Sequence, residues 1–349
     1  MLVIGDSGDG ESLQIDLAKD LEGQEASVLL HVGDIAYWEG AFSQFINAFF
    51  GVYAKLLPRM ALFTTPGNHD YEQDAFPYRT LFSPSVAGVP VEGHHRYYSF
   101  DWGPAHFAVL DTNTPLEQAI EGRGRMLTWL ERDLRTTEQP LRIVMFHHAP
   151  FTSSAEKLAD PVSAMVRLHI TPLLERAAVH LVLSGHEHVY QRTFPRRHGT
   201  FSRTEPGTVY VTTGGAGSQH YQPGPSTFAV KAFSALHALR LDLRDNGVQL
   251  EAIGVGGVVL DSAQVSALPQ LAEDAAVSAA SFEPRLAPGG LVSLFGWNLA
   301  LTEAGAQKFP LPLELGGARV SLGTTPLPLT FASRTQINAL RSEEHTSEL

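Results

Sequence analysis

Residues 27–37, SVLLHVGDIAY, join an apolar run to a carboxylate. The run from Val28 to Val32 is too short for a helix, so it reads as a buried strand that stops at Gly33. Asp34 stands just past the strand end, and Tyr37 follows three residues on. Residues 2–6, LVIGD, repeat the plan with Asp6 in the place of Asp34. Two strands that each end on Gly-Asp can deliver two carboxylates to one place, because glycine lets the backbone bend tightly there. Tyr37 alone stays open between a packed ring with a satisfied hydroxyl and a ligand beside Asp34.

Further short apolar runs follow: ALFTTPG at 61–67, HFAVLDT at 106–112, RIVMFHH at 142–148, HLVLSGH at 180–186 and TVYVTTGG at 208–215. Amphipathic segments of helical length separate several of them: 11–23, 42–57, 126–134 and 161–178. Strand and helix in alternation predict an α/β domain with much parallel pairing. Five strands end in clusters able to ligate: GDSGD, GDIAY, GNHD, HHAP and GHEH. In open α/β sheets the carboxyl ends of strands line one crevice, so the clusters are expected to share a site.

The chain has 349 residues, which favours a large domain with a smaller one. Its net charge of −12 argues against a nucleic-acid backbone as partner. No apolar run is long enough to span a membrane. The absence of cysteine rules out disulfides, thiolate metal sites and a cysteine nucleophile, so any metal must be held by oxygen and imidazole. A serine-hydrolase elbow, G-x-S-x-G, is absent, as is the phosphate-binding GxxxxGK[ST] loop.

Each cluster has a plain structural alternative, since Gly, Asn and Asp also favour turns. Asn68 can ligate a hard cation through its amide oxygen, and the adjacent His69 can donate a proton. His147 and His148 alternate faces if the strand persists, so one of them should enter the site. His186 and His188 leave an extended segment on one face, a spacing suited to adjacent metals, while Glu187 faces away as a supporting or surface group. Carboxylate, phenol and amide oxygens together with three imidazoles exceed one ion's needs and suit two.

The series GDSG, GDIAY, GNHD, HHAP and GHEHVYQR resembles the metallophosphoesterase superfamily, and the tyrosine after the second Gly-Asp resembles its purple acid phosphatase branch. The resemblance extends to about Ser262 and implies a four-layer α/β/β/α sandwich around two metals. It implies Asp6, Asp34, Tyr37 and His188 around a ferric ion, with Asp34 bridging to a second ion, Fe, Zn or Mn, held by Asn68, His148 and His186. His148 is preferred to His147 because the family ligand stands in an H-x-P context. His69 would bind phosphate oxygen or protonate the leaving group. Where relatives often carry a substrate-facing histidine, this chain has Lys157, which binds phosphate as a point charge or is a solvated loop residue.

The implied activity is hydrolysis of phosphate monoesters by attack of a metal-bound hydroxide. Phosphodiester cleavage is the alternative, and a catalytically silent adhesion protein is a third reading. The catalytic domain is expected over 1–262, with its N-terminus truncated, and a linker over 263–277. Residues 278–340 predict a small, incomplete all-β sandwich, similar to immunoglobulin-like modules of secreted bacterial proteins in APGGLVSLFGWNLA, LGGARVSL and QINAL. That similarity implies a periplasmic or extracellular location; the sequence leaves the oligomeric state open. Residues 341–349, RSEEHTSEL, read as a translated sequencing adapter.

Overall fold

The computed structural model describes residues 1–71, 75–82, 96–113 and 124–341. The chain opens with β1 (Leu2–Ile4), α1 (Ser12–Glu22) and β2 (Val28–His31). Then come α2 (Phe42–Gln44), continued by a wider helical coil over Phe45–Gly51, β3 (Ala61–Thr64) and α3 (Phe76–Leu81). The second half of the domain begins with β4 (Tyr98–Trp102), β5 (Ala105–Val109), α4 (Arg125–Thr136) and β6 (Leu141–His148). It continues through α5 (Pro161–His169), α6 (Thr171–Arg176), β7 (Leu181–Gly185) and β8 (Tyr190–Thr193). After a hairpin of β9 (Arg196–Arg197) and β10 (Thr200–Phe201) come β11 (Val209–Thr213) and β12 (Ala229–Phe233). The domain closes with β13 (His237–Arg244), β14 (Gly247–Gly254) and β15 (Val259–Ser266).

Two sheets result, ordered β15-β14-β13-β1-β2-β3 and β12-β8-β11-β7-β6-β5-β4. The runs β1-β2-β3 and β5-β6-β7-β11 are parallel, as alternating strand and helix require. Side-chain alternation then sorts the apolar residues into three cores. Val3, Leu30, Ile143, Met145 and Leu183 fill the space between the sheets. Leu2, Ile4 and Leu29 face outward onto Leu17 and Leu21 of α1 and onto Phe45 and Phe49. On the other outer face, Val144, Phe146 and Val182 meet Leu127 and Leu130 of α4 and Val166 of α5. These are the four layers α/β/β/α that the family resemblance implies.

The stretch expected as a linker, 263–277, is built into sheets instead. Its first residues extend β15, the edge strand beside β14, and most of the rest form β16 (Gln270–Ser278), so only 267–269 connect the two units. Small residues at alternating positions gave a weak pattern, which suits half-exposed edge strands as well as a linker. Beyond β16, the strands β17 (Leu291–Trp297), β18 (Ala304–Gly305), β21 (Leu329–Ala332) and β22 (Gln336–Leu340) form a sheet in the order β16-β17-β22-β21-β18. A two-stranded ribbon joins β19 (Ser321–Leu322) to β20 (Thr325–Pro326). The C-terminal region is therefore all-β, with Val292, Leu299, Leu329 and Ile337 in its core. Residues 342–349 of the suspected adapter tail lie outside the described residues.

The C-terminal unit docks through buried polar groups. The Arg142 guanidinium at the start of β6 donates to Asn298 Oδ1 at 2.7 Å and to the Ala178 carbonyl at 3.0 Å. Asn298 in turn donates to the Ala267 carbonyl, and Trp297 packs near His180.

Candidate metal centre

The polar clusters meet where the parallel strands end. Asp6 follows β1, Asp34 follows β2, Asn68 follows β3, His147 lies on β6, and His186 and His188 follow β7. Asp6, Asp34 and His186 adopt φ of 55°, 52° and 67°. Left-handed backbone at such residues costs ~1–3 kcal/mol each and is kept where the surrounding structure dictates it, commonly at functional sites. Two glycines make the approach possible. A Cβ on Gly33 would sit 2.5 Å from His147 Nδ1, and one on Gly67 would overlap the Asp34 carboxylate.

Tyr37 is 2% exposed, and its Oη lies 3.0 Å from Asp34 Oδ2, 3.4 Å from Asp6 Oδ1 and 3.2 Å from His188 Nε2. His188 Nδ1–H donates to the Gln219 carbonyl at 2.7 Å, so its Nε2 lone pair faces this cluster. A phenol has one proton and can satisfy one of three acceptors. A buried group of acceptors with too few donors is the arrangement a cation resolves. Burial, then the Asp34 and Asp6 charges, push the Tyr37 phenol well above its usual range. Only a strong positive charge would ionise it.

Asp34 also faces a second group. His147 Nε2 is 3.3 Å from Asp34 Oδ2 and 3.2 Å from Asn68 Oδ1, while Nδ1–H donates to the Val32 carbonyl at 2.9 Å. Asp34, His147 and His186 bring one ligand atom each within 4.8 Å of one another. Burial alone would raise the Asp34 carboxyl, but the facing His147 outweighs it and holds the group far below the usual carboxylate range. His147 is pulled down by burial and lifted more strongly by Asp34, to about 9. Oxygen and imidazole donors in these two groups fit two hard or borderline cations.

The geometry reverses the sequence preference for His148. Ile143 and Met145 face the first sheet and Val144 and Phe146 face the helices. The register with β7 shifts between Met145 and His148, so the contacts place the two rings: His147 reaches Val32, Asp34 and Asn68, and His148 turns to Thr112. His148 Nδ1 accordingly lies 2.8 Å from Thr112 Oγ1, and its ring lies against His186 at a centroid distance of 4.5 Å. The spacing to Pro150 favoured His148, whereas the ring grouped with Asp34 and His186 is that of His147.

The remaining candidates surround the same place. The His69 backbone N–H donates to Asp34 Oδ1 at 2.9 Å, and its Nδ1–H donates to the Trp38 carbonyl at 2.7 Å. Lys157 Nζ is 3.1 Å from His186 Nε2, so it is not a solvated bystander. Asp160 Oδ2 also lies 3.0 Å from that nitrogen, a contact sequence reasoning missed. Were His186 Nε2 to carry the proton, it would donate to Asp160 and leave Nδ1 for a metal, and Lys157 would then act beside it as a charge and not as a hydrogen-bond donor to it. Asp70, unassigned in GNHD, receives the N–H groups of Ile35 at 3.0 Å and Gly67 at 2.8 Å and so ties two ligand loops together. Glu187 is buried, not a surface group, and accepts from Thr152 at 2.7 Å.

A family model for calcineurin-like phosphoesterases matches residues 1–190, a span that holds every residue of the two donor groups. The chain belongs to that family. Among curated relatives of this phosphoesterase, human acid phosphatase type 7 is 27% identical over 245 residues, covering 63% of this chain and 55% of the relative. A probable inactive purple acid phosphatase 9 of Arabidopsis thaliana is 25% identical over 247 residues, covering 60% of this chain and 37% of the relative. The chain thus spans about half or less of the length of these relatives. A purple acid phosphatase from yellow lupin (Lupinus luteus) seeds superposes with a TM-score of 0.66 at 20% identity, over 76% of this chain and 53% of that one. The phosphoesterase fold therefore reaches beyond the family match, and the resemblance to purple acid phosphatases is shared by sequence and fold.

Proposed function

We propose that this phosphoesterase hydrolyses phosphate monoesters at two metal ions. Asp6, Tyr37 and His188 would hold one ion and Asn68, His147 and His186 the other, with Asp34 shared. The observation that carries this is Asp34: one carboxylate oxygen faces both Tyr37 at 3.0 Å and His147 at 3.3 Å, as a bridging ligand must. Bound there, the ions would supply Lewis acidity toward a phosphoryl oxygen and acidify water for in-line attack. A phenol kept so high by burial and two carboxylates supports Fe(III) on the Tyr37 side, with Fe, Zn or Mn on the other.

His69 is the candidate for binding a phosphate oxygen or protonating the leaving oxygen. Its Nδ1–H is committed to the Trp38 carbonyl, and its ring lies 4.4 Å from that of Tyr37, at the centre's mouth. Lys157 adds positive charge beside His186 and would attract the phosphate dianion. A periplasmic or extracellular location follows from the likeness of the C-terminal region to modules of secreted proteins. Among the described residues no helix is long and apolar enough to cross a membrane.

The test is turnover of an aryl phosphate monoester against the matching diester, after loading with iron and zinc. Faster monoester turnover supports the reading. Diester turnover in large excess would move it to a phosphodiesterase, and a pure protein that retains no metal would sink both.

A further inference from the structure

A second charged site lies away from the metal centre. A cleft of about 650 Å³ opens where α4 and α6 meet the turn between β21 and β22. Four arginines line it: Arg132 and Arg135 from α4, Arg176 from α6 and Arg334 from the C-terminal turn, against two carboxylates, Glu131 and Glu303. Arg176 pairs with Glu131 at 3.5 Å. Arg132 and Arg135 are exposed, and their side chains make no hydrogen bond or ion pair among the described residues.

Arg334 is the telling residue. It is 7% exposed, and its Nη2 donates to the Thr137 carbonyl at 2.6 Å, but its Nη1 is buried without a partner. A buried guanidinium with an idle N–H is costly unless an anion reaches it. The excess of guanidinium here also contrasts with a chain whose net charge is −12. Thr137 precedes β6 and His147 lies near its end, so the strand between them, roughly 20 Å from Leu141 to His147, separates the cleft from the metal centre.

We propose that this cleft binds a small polyanion, a molecule bearing two or more phosphate or carboxylate groups. The site is completed only when the C-terminal unit, which supplies Arg334, is docked on α4. A single ion would leave most of the cleft unfilled, whereas several anionic groups can engage guanidinium forks in pairs.

Citrate and methylenediphosphonate, titrated calorimetrically into the metal-loaded protein at low salt, test this. Binding is expected in the wild type, weakened at least about tenfold in the double variant Arg132→Gln/Arg135→Gln and retained in His69→Ala. Arg334→Gln should show the same loss. Should that variant misfold, the exposed double variant carries the test, with an unchanged melting temperature as its control. No binding in the wild type, equal binding in the double variant, or loss in His69→Ala alone would each overturn the proposal. The last result would assign the anion to the metal centre.

Discussion

Tyr37 shows how much one atom's surroundings decide. Its Oη stands among Asp6, Asp34 and His188, a place where packing alone has no use for a hydroxyl. Iron-loaded protein is expected to show a broad visible absorption band from the phenolate. Tyr37→Phe should lose that band while its melting temperature stays within a few degrees. A colourless iron-loaded wild type would return the ring to a packing role. Gly67 makes the complementary point, because a Cβ there overlaps the Asp34 carboxylate. Gly67→Ala is expected to cost ~2 kcal/mol or more in urea denaturation of the metal-free protein and to lower metal content by elemental analysis.

At the scale of elements, helix ends and strand pairs place the groups that act through others. Asp160 caps α5, accepting from the Ser163 N–H at 2.7 Å, while its other oxygen meets His186. Asp160→Ala should therefore lose ~1 kcal/mol of stability and also weaken metal retention roughly tenfold in a chelator competition. Asp160→Asn should recover the cap but not the metal affinity. The β4–β5 hairpin is tied to α4 through His106, whose nitrogens lie 2.7 Å from Asp101 and 2.8 Å from Asp133. Burial pulls this histidine down, but Asp133 and Asp101 outweigh it and raise it above 6.5. Its contribution is thus fully present below about pH 6.5 and is lost as pH rises through the raised value. Thermal melts should fall more steeply over that range in the wild type than in His106→Gln, and parallel curves would refute the clamp.

For the whole molecule, the C-terminal region is a docked part of the structure. Arg142 is fully buried and reaches across the junction to Asn298, which also holds the Ala267 carbonyl. Removing one partner leaves a buried charge short of an acceptor. Asn298→Ala is expected to lower stability by ~2 kcal/mol in chemical denaturation, with metal content unchanged. A separate early transition in that variant would show the C-terminal unit melting on its own.

The sequence by itself determined an α/β domain with parallel strands, since the period of apolar residues and the length of each run leave little choice of element, while its four layers were implied by the family resemblance. It also marked the strand ends as the site, because Gly-Asp, Gly-Asn-His-Asp and Gly-His-Glu-His recur at the same place in successive units. Tertiary structure decided what depends on direction. Which of His147 and His148 lies against Asp34 and Asn68 is set by contacts past the point where the β6–β7 register shifts. That Lys157 and Asp160 flank His186 follows from how the segment after β6 folds back, over separations of 26 residues and more that no local pattern encodes. The strands at 259–278 were missed for a related reason. An edge strand buries one face weakly, so its pattern emerges only beside the neighbour with which it pairs.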